Sequence, residues 1–137
     1  MNQAGIQEIN DRIAKICLKE PAIQAAYIFG SRVRGATAPE RDLDVALLLD
    51  EGPGGNFSLL SFMSNLERAY GYRADVVILN HAGEVLKHEV RRTGRLIFER
   101  DSEKRKQFEV SGRKSYEDFL YLHRKYSEAV LYGKEHG

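Results

Sequence analysis

The chain has 137 residues, 42% of them hydrophobic and 30% charged, which suits one compact domain over residues 1–137 and excludes both a disordered chain and two domains of ordinary size. Its formal net charge of +1, from 21 Lys and Arg against 20 Asp and Glu, creates no global attraction to nucleic acid, so direct nucleic-acid binding is not expected. The single cysteine, Cys17, excludes an intramolecular disulfide framework and cysteine-based zinc sites.

In chain order, Ile6, Ile9, Ile13 and Ile16 recur at spacings of three and four, the stripe of an amphipathic helix that Pro21 ends. Cys17 lies on the apolar side of that helix and is expected to pack in the core. Ala25 to Phe29 reads as an apolar strand running into Gly30-Ser31, residue types that suit a tight turn and a helix N-cap. Leu43 to Leu49 predicts a strand buried on both faces, with carboxylates only at its head and just past its end. After the loop Gly52-Pro53-Gly54-Gly55, Phe57, Leu60, Met63 and Leu66 set a helical stripe, with Leu59, Phe62 and Tyr70 beside it, running to Gly71.

Ala74 to Leu79 predicts a third strand, Val85, Leu86 and Val90 a short helix ending near Gly94, and Leu96 to Phe98 a fourth strand. Between Lys87 and Lys106 the arginines Arg91, Arg92, Arg95, Arg100 and Arg105 are diluted by Glu89, Glu99, Asp101 and Glu103, a pattern that reads as a solvated helix face with ion pairs. Tyr116, Phe119, His123, Tyr126 and Val130 keep three-and-four spacing and predict a long C-terminal helix with that face on the sheet; Tyr121 and Tyr132 share a second face. The longest apolar run, Val45 to Leu49, is far short of the ~20 residues that cross a bilayer, and Met1-Asn2-Gln3-Ala4-Gly5 has no leader pattern, so no membrane partner and a cytoplasmic location are expected. The fold class expected is α/β, a small mixed sheet flanked by helices.

The chemistry concentrates between Gly30 and Asp44. The skeleton is Gly30-Ser31, ten residues, then Asp42-Leu43-Asp44. Side chains two apart on a strand point to one side, so Asp42 and Asp44 present two carboxylates together at the head of a buried strand. Aspartate is depleted in strands and like charges repel, and a divalent cation explains such a pair. Mg²⁺ takes hard oxygen ligands, commonly one or two carboxylates plus substrate phosphates. Asp75 opens the third strand, and if that strand pairs with the second its carboxylate reaches the same edge, where a second metal would activate an attacking hydroxyl. Asp50 shares the parity of Asp44 but lies about 20 Å further along an extended strand and is excluded. Gly30 lets backbone approach a phosphate closely, a helix start after it would offer N–H groups to an anion, Ser31 adds a hydroxyl, and Arg34, then Arg32, would neutralise a triphosphate.

Two competing motifs fail. Gly30 to Gly35 begins like a phosphate-binding P-loop, but Ala36-Thr37 stands where Lys and Ser or Thr are needed. His88-Glu89 begins like a zinc-protease helix, but Arg92 occupies the place of the second histidine, and His81, His88, His123 and His136 form no ligand pattern.

The Gly-Ser-x10-Asp-x-Asp skeleton, with Arg34-Gly35 inside it and Asp75 on a later strand, resembles the minimal nucleotidyltransferase (MNT) domain of the polymerase-β-like superfamily. Leu79-Asn80, the helix through Arg91 and the segment Gly94 to Asp101 resemble its MntA-type subgroup, so the likeness covers most of the chain. The resemblance implies a polymerase-β-like fold, Mg²⁺ held by Asp42, Asp44 and Asp75, ATP bound at Gly30, Ser31 and Arg34, and transfer of a nucleotidyl group with release of pyrophosphate. It further implies an antitoxin that adenylylates a hydroxyl, usually of tyrosine, on a HEPN ribonuclease toxin, in a hetero-oligomer with that toxin. Many relatives carry Ser before the first Asp where this chain has Arg41. Two other readings stand beside it: a small-molecule nucleotidyltransferase of the antibiotic-modifying kind, and an antitoxin that neutralises by contact alone.

Overall fold

A computed structural model describes residues 3–30, 43–52, 56–71 and 73–133. Helix α1 (Gln3–Leu18) turns Ile9, Ile13, Ile16 and Cys17 inward, as the isoleucine spacing predicts; the side chain of Ile6 lies outside the described ones. Burial pushes the Cys17 thiol up to about 12, against a smaller opposing pull from Arg100. The helix ends at Leu18, three residues before Pro21, and a side chain from far along the sequence holds this end. The Arg100 guanidinium donates to the carbonyls of Cys17, Leu18 and Glu20 at 3.1–3.2 Å and to that of Ile23 at 3.0 Å, tying the helix end and the turn after it to the start of β1 (Ile23–Phe29).

Strands β1 (Ile23–Phe29), β2 (Leu43–Leu49), β3 (Ala74–Ile78) and β4 (Arg95–Glu99) form one sheet in the order β3-β2-β1-β4. β1 is antiparallel to β2 and β4, and β2 is parallel to β3. The sheet is mixed, as expected. Along β2 the side chains alternate: Leu43, Val45 and Leu47 enter a core with Ile13, Phe62 and Leu66, whereas Ala46 and Leu48 enter a second core with Tyr27, Leu79 and Val90. Helices α1 and α2 (Leu59–Tyr70) therefore cover one face, and α3 (Glu84–Thr93) and α4 (Ser102–Gly133) the other. A 3₁₀ turn, Leu79–His81, follows β3, and its Asn80 amide continues the ladder past Ile78: it donates to the Leu49 carbonyl at 2.8 Å and accepts from the Leu49 N–H at 2.9 Å.

Two apolar stripes differ from expectation. In α2 the buried residues are Phe62 and Leu66, while Leu60 is 78% exposed. Ser58 caps the helix, its hydroxyl accepting from the Ser61 N–H, so Phe57 stands before the cap and packs on Phe62 from outside, ring centroids 5.7 Å apart. Counting Phe57 onto the helix sets the stripe out of phase. In α4 the face expected on the sheet meets α3 instead, where Tyr116 stacks on His88 at 3.9 Å, while nearer the helix start Phe108 joins the second core and Ser115 donates to Glu84. Beyond Phe119 the stripe leaves the body, with Tyr126 70% and Val130 40% exposed. Among the described residues no helix is long and apolar enough to cross a membrane.

Candidate active site

Three strand ends meet at one corner of the sheet. β1 ends at Phe29, whose register partner is Asp44, and the parallel pairing of β2 with β3 sets Asp44 opposite Asp75. Leu43 and Ala74 enter the α1/α2 core, so Asp44 and Asp75, one residue on, share the other face. Neighbouring strands lie about 4.8 Å apart, which makes these carboxylates close neighbours. Asp44 is partly buried, and the Asp75 side chain is 47% exposed.

Gly30 closes the corner from the β1 side. It has φ +87°, a left-handed conformation that favours glycine, and a Cβ built on it would lie 2.6 Å from Asp44 Oδ2. Backbone and carboxylate thus approach more closely than any other residue at this position permits. On the β3 side the Arg73 carbonyl accepts from the Leu43 N–H at 3.0 Å, extending the ladder by one step, and Arg73 Nε stands 3.4 Å from Asp75 Oδ1. Arg73 is not among the residues singled out from sequence. Its signal was available: Arg73 and Asp75 are two apart, the same alternation that selects Asp42 and Asp44.

Asp42, Ser31 and Arg34, with Arg32, Arg41 and the helix start expected after Gly30, lie outside the described residues. Among the described residues no three of His, Cys, Asp and Glu gather as a metal site. Asp44 and Asp75 supply two hard oxygen donors, the chemistry Mg²⁺ takes, and Gly30 lets the backbone lie close against the Asp44 carboxylate.

Several other charged side chains have partners away from this corner. Asp50, excluded from sequence, lies at the other end of β2, accepting from the Gly52 N–H and facing Lys104 at 3.5 Å. His81 pairs with Glu51 at 2.6 Å. In the basic stretch, Arg92 pairs with Glu89 on an exposed face, as expected, whereas Arg105 pairs with Glu99 and Glu109 in a mostly buried cluster. Arg91 departs from that expectation: its two terminal nitrogens are buried without hydrogen-bond partners, and one lies 2.5 Å from where a Cβ on Gly112 would stand. Tyr121 is 56% exposed with Lys125 over its ring at 5.6 Å, and the Tyr132 side chain lies outside the described ones.

Residues 11–103 match the family model described as polymerase beta, nucleotidyltransferase. The chain is 26% identical over 103 residues to the protein adenylyltransferase MntA of Aphanizomenon flos-aquae, covering 69% of each chain. A crystal structure of a toxin-antitoxin with AMP-PNP superposes at a TM-score of 0.71 and 21% identity, covering 89% of this chain and 98% of that one. A complex of a tri-AMPylated Shewanella oneidensis HEPN toxin with an MNT antitoxin superposes at 0.68 and 20% identity, covering 91% and 98%. At these identities the superpositions carry the fold, a mixed sheet of four strands with flanking helices and a long C-terminal helix.

Proposed function

The chain belongs to the polymerase beta nucleotidyltransferase family, and on that premise we propose that it moves AMP from ATP onto a tyrosine hydroxyl of a HEPN toxin and thereby acts as an antitoxin. The observation that carries this reading is the register that sets Asp44 beside Asp75, with Gly30 pressed against Asp44. The likeness to a protein adenylyltransferase and to chains of toxin-antitoxin complexes supports the acceptor and the partner.

Asp44 and Asp75, joined by Asp42 from the sequence pattern, are the residues that would hold Mg²⁺, which when bound offsets triphosphate charge and makes a nearby hydroxyl easier to deprotonate. Gly30 admits the phosphates close to backbone, Ser31 donates a hydroxyl, and Arg34 meets the negative charge on the triphosphate and the departing pyrophosphate. In the transfer, the acceptor oxygen forms a bond to the α-phosphorus while the bond to the bridging oxygen breaks. The electron pair leaves on pyrophosphate and the acceptor proton passes to Asp75. A partner protein that covers the site would exclude water and place its own hydroxyl in line, where proximity contributes much of the rate.

The test is to co-express the toxin with wild type and with an Asp42→Ala, Asp44→Ala variant and weigh the toxin by mass spectrometry. Wild type is expected to add adenylyl mass and restore growth, and the variant to do neither. Neutralisation by both proteins without added mass would replace transfer by contact. Adenylylation of an antibiotic-type small molecule and not of the toxin would replace the acceptor.

A further inference from the structure

Arg73 has no part in the transfer described above, yet its place is built. Its backbone is fixed to the mouth of β2 by the hydrogen bond from Leu43, and its side chain shares a strand side with Asp75. The guanidinium lies 3.4 Å from Asp75 Oδ1 and is itself 73% exposed. Asp75 needs such company: in register beside Asp44 it adds a second negative charge to a corner that, without a cation, repels itself. Arginine keeps its charge at every pH at which a carboxylate is ionised, so the compensation is always present. High exposure makes it weak, for pairs of this kind shift an equilibrium by no more than about fivefold.

We propose that Arg73 is a built-in counter-cation, which neutralises Asp75 until a divalent cation displaces it. The proposal rests on the reading of Asp44 and Asp75 as metal ligands. It makes Arg73 a positioning residue that acts through Asp75. It also gives the ion pair a sign that a merely structural contact lacks, because removing an internal competitor tightens metal binding while removing a supporting contact does not.

The experiment uses Mn²⁺ as the probe, titrated without nucleotide into the full chain at low ionic strength and followed by electron paramagnetic resonance. Arg73→Ala is expected to bind Mn²⁺ about two- to fivefold more tightly than wild type. Arg73→Lys is expected to return to the wild-type value, and the difference between alanine variant and wild type to shrink at about 0.5 M salt as screening weakens the pair. Unchanged or weaker Mn²⁺ binding in Arg73→Ala, with thermal unfolding showing the variant folded, would overturn the proposal. So would weaker ATP binding with Mn²⁺ affinity unaltered, which would make Arg73 a phosphate ligand. Asp75→Asn, measured in parallel, separates this result from the premise: if it leaves Mn²⁺ affinity intact, the metal assignment itself fails, whereas loss in Asp75→Asn with no gain in Arg73→Ala rejects the counter-cation alone.

Discussion

Gly30 has φ +87°, and the space its Cβ would occupy is 2.6 Å from Asp44 Oδ2, so alanine there meets two costs. A left-handed non-glycine residue costs about 1–2 kcal/mol, and the carboxylate must also move. Gly30→Ala is expected to lower stability by about 1–3 kcal/mol in urea unfolding. Calorimetry at a temperature where the variant is folded is expected to show a larger loss of Mg²⁺-dependent ATP affinity than the stability change explains. Glu84 offers a different kind of test. Lys87 at 2.9 Å and Ser115 at 2.7 Å hydrogen-bond its carboxylate and hold it below the usual range, outweighing burial, which acts the other way. A carboxyl lowered by folding stabilises the protein above its unfolded value, about 4.3, and that stabilisation is lost as pH falls through the lower folded value. Glu84→Gln is therefore expected to be less stable than wild type at pH 7, with the gap closing as the medium is acidified below about pH 4. Denaturant titrations at several pH values measure it, and a gap independent of pH would mean that packing, not charge, ties α3 to α4 here.

The elements differ in how far they can be read from sequence, and the reason is physical. β2 is legible to the residue, Leu43–Leu49, because an apolar run bounded by Asp42-Leu43-Asp44 and Asp50 has one way to be buried on both faces. α1 is legible because its isoleucines keep a single phase. α2 is legible as a helix but not in its buried face, since a cap such as Ser58 decides where the phase begins and periodicity alone does not. α4 shows a deeper limit. Spacing tells which residues share a face, but whether another element meets that face depends on chain elsewhere: α3 begins at Glu84, the end that lies beside Ser115, and the stripe of α4 continues past Phe119 beyond it. The same holds at the site, where the aspartates and Gly30 are legible by type and spacing, while the contact of Gly30 with Asp44 and the ion pair of Arg73 need the strand register. A pair of truncations checks the corrected packing. Tyr126→Ala, at a residue 70% exposed, is expected to change stability by less than about 0.5 kcal/mol. Phe62→Ala, at a residue 0% exposed, is expected to cost about 3–5 kcal/mol. Comparable losses in the two would return the distal half of α4 to the core.

At the scale of the whole molecule, the site sits where it does because of topology. β2 and β3 are parallel and joined through α2, so both begin at the same end of the sheet, and antiparallel β1 finishes there. A carboxylate at the head of either parallel strand must arrive at that corner, and one at the tail, such as Asp50, must leave it. The corner is also graded: Asp44 is central, flanked by Gly30 on the β1 side and Asp75 on the β3 side, with Asp75 on the edge strand of the sheet. On the proposed reading the triphosphate lies toward Gly30 and the acceptor approaches across Asp75, so the two aspartates divide binding from chemistry. Asp44→Asn is expected to lose ATP affinity and turnover together, because it removes a ligand at the phosphate side. Asp75→Asn is expected to keep ATP affinity within about fivefold, the range of one exposed charge contact, while adenylyl transfer to the partner falls by about 10²–10⁴, the usual contribution of a positioned base. Both variants should remain folded, since each relieves repulsion between neighbouring negative charges, and their thermal transitions can be compared directly with wild type. Calorimetric ATP binding set beside single-turnover transfer measures the split. If Asp75→Asn loses affinity and transfer in the same proportion, the acceptor side has been misplaced, and Asp75 belongs with Asp44 as part of one nucleotide-binding unit.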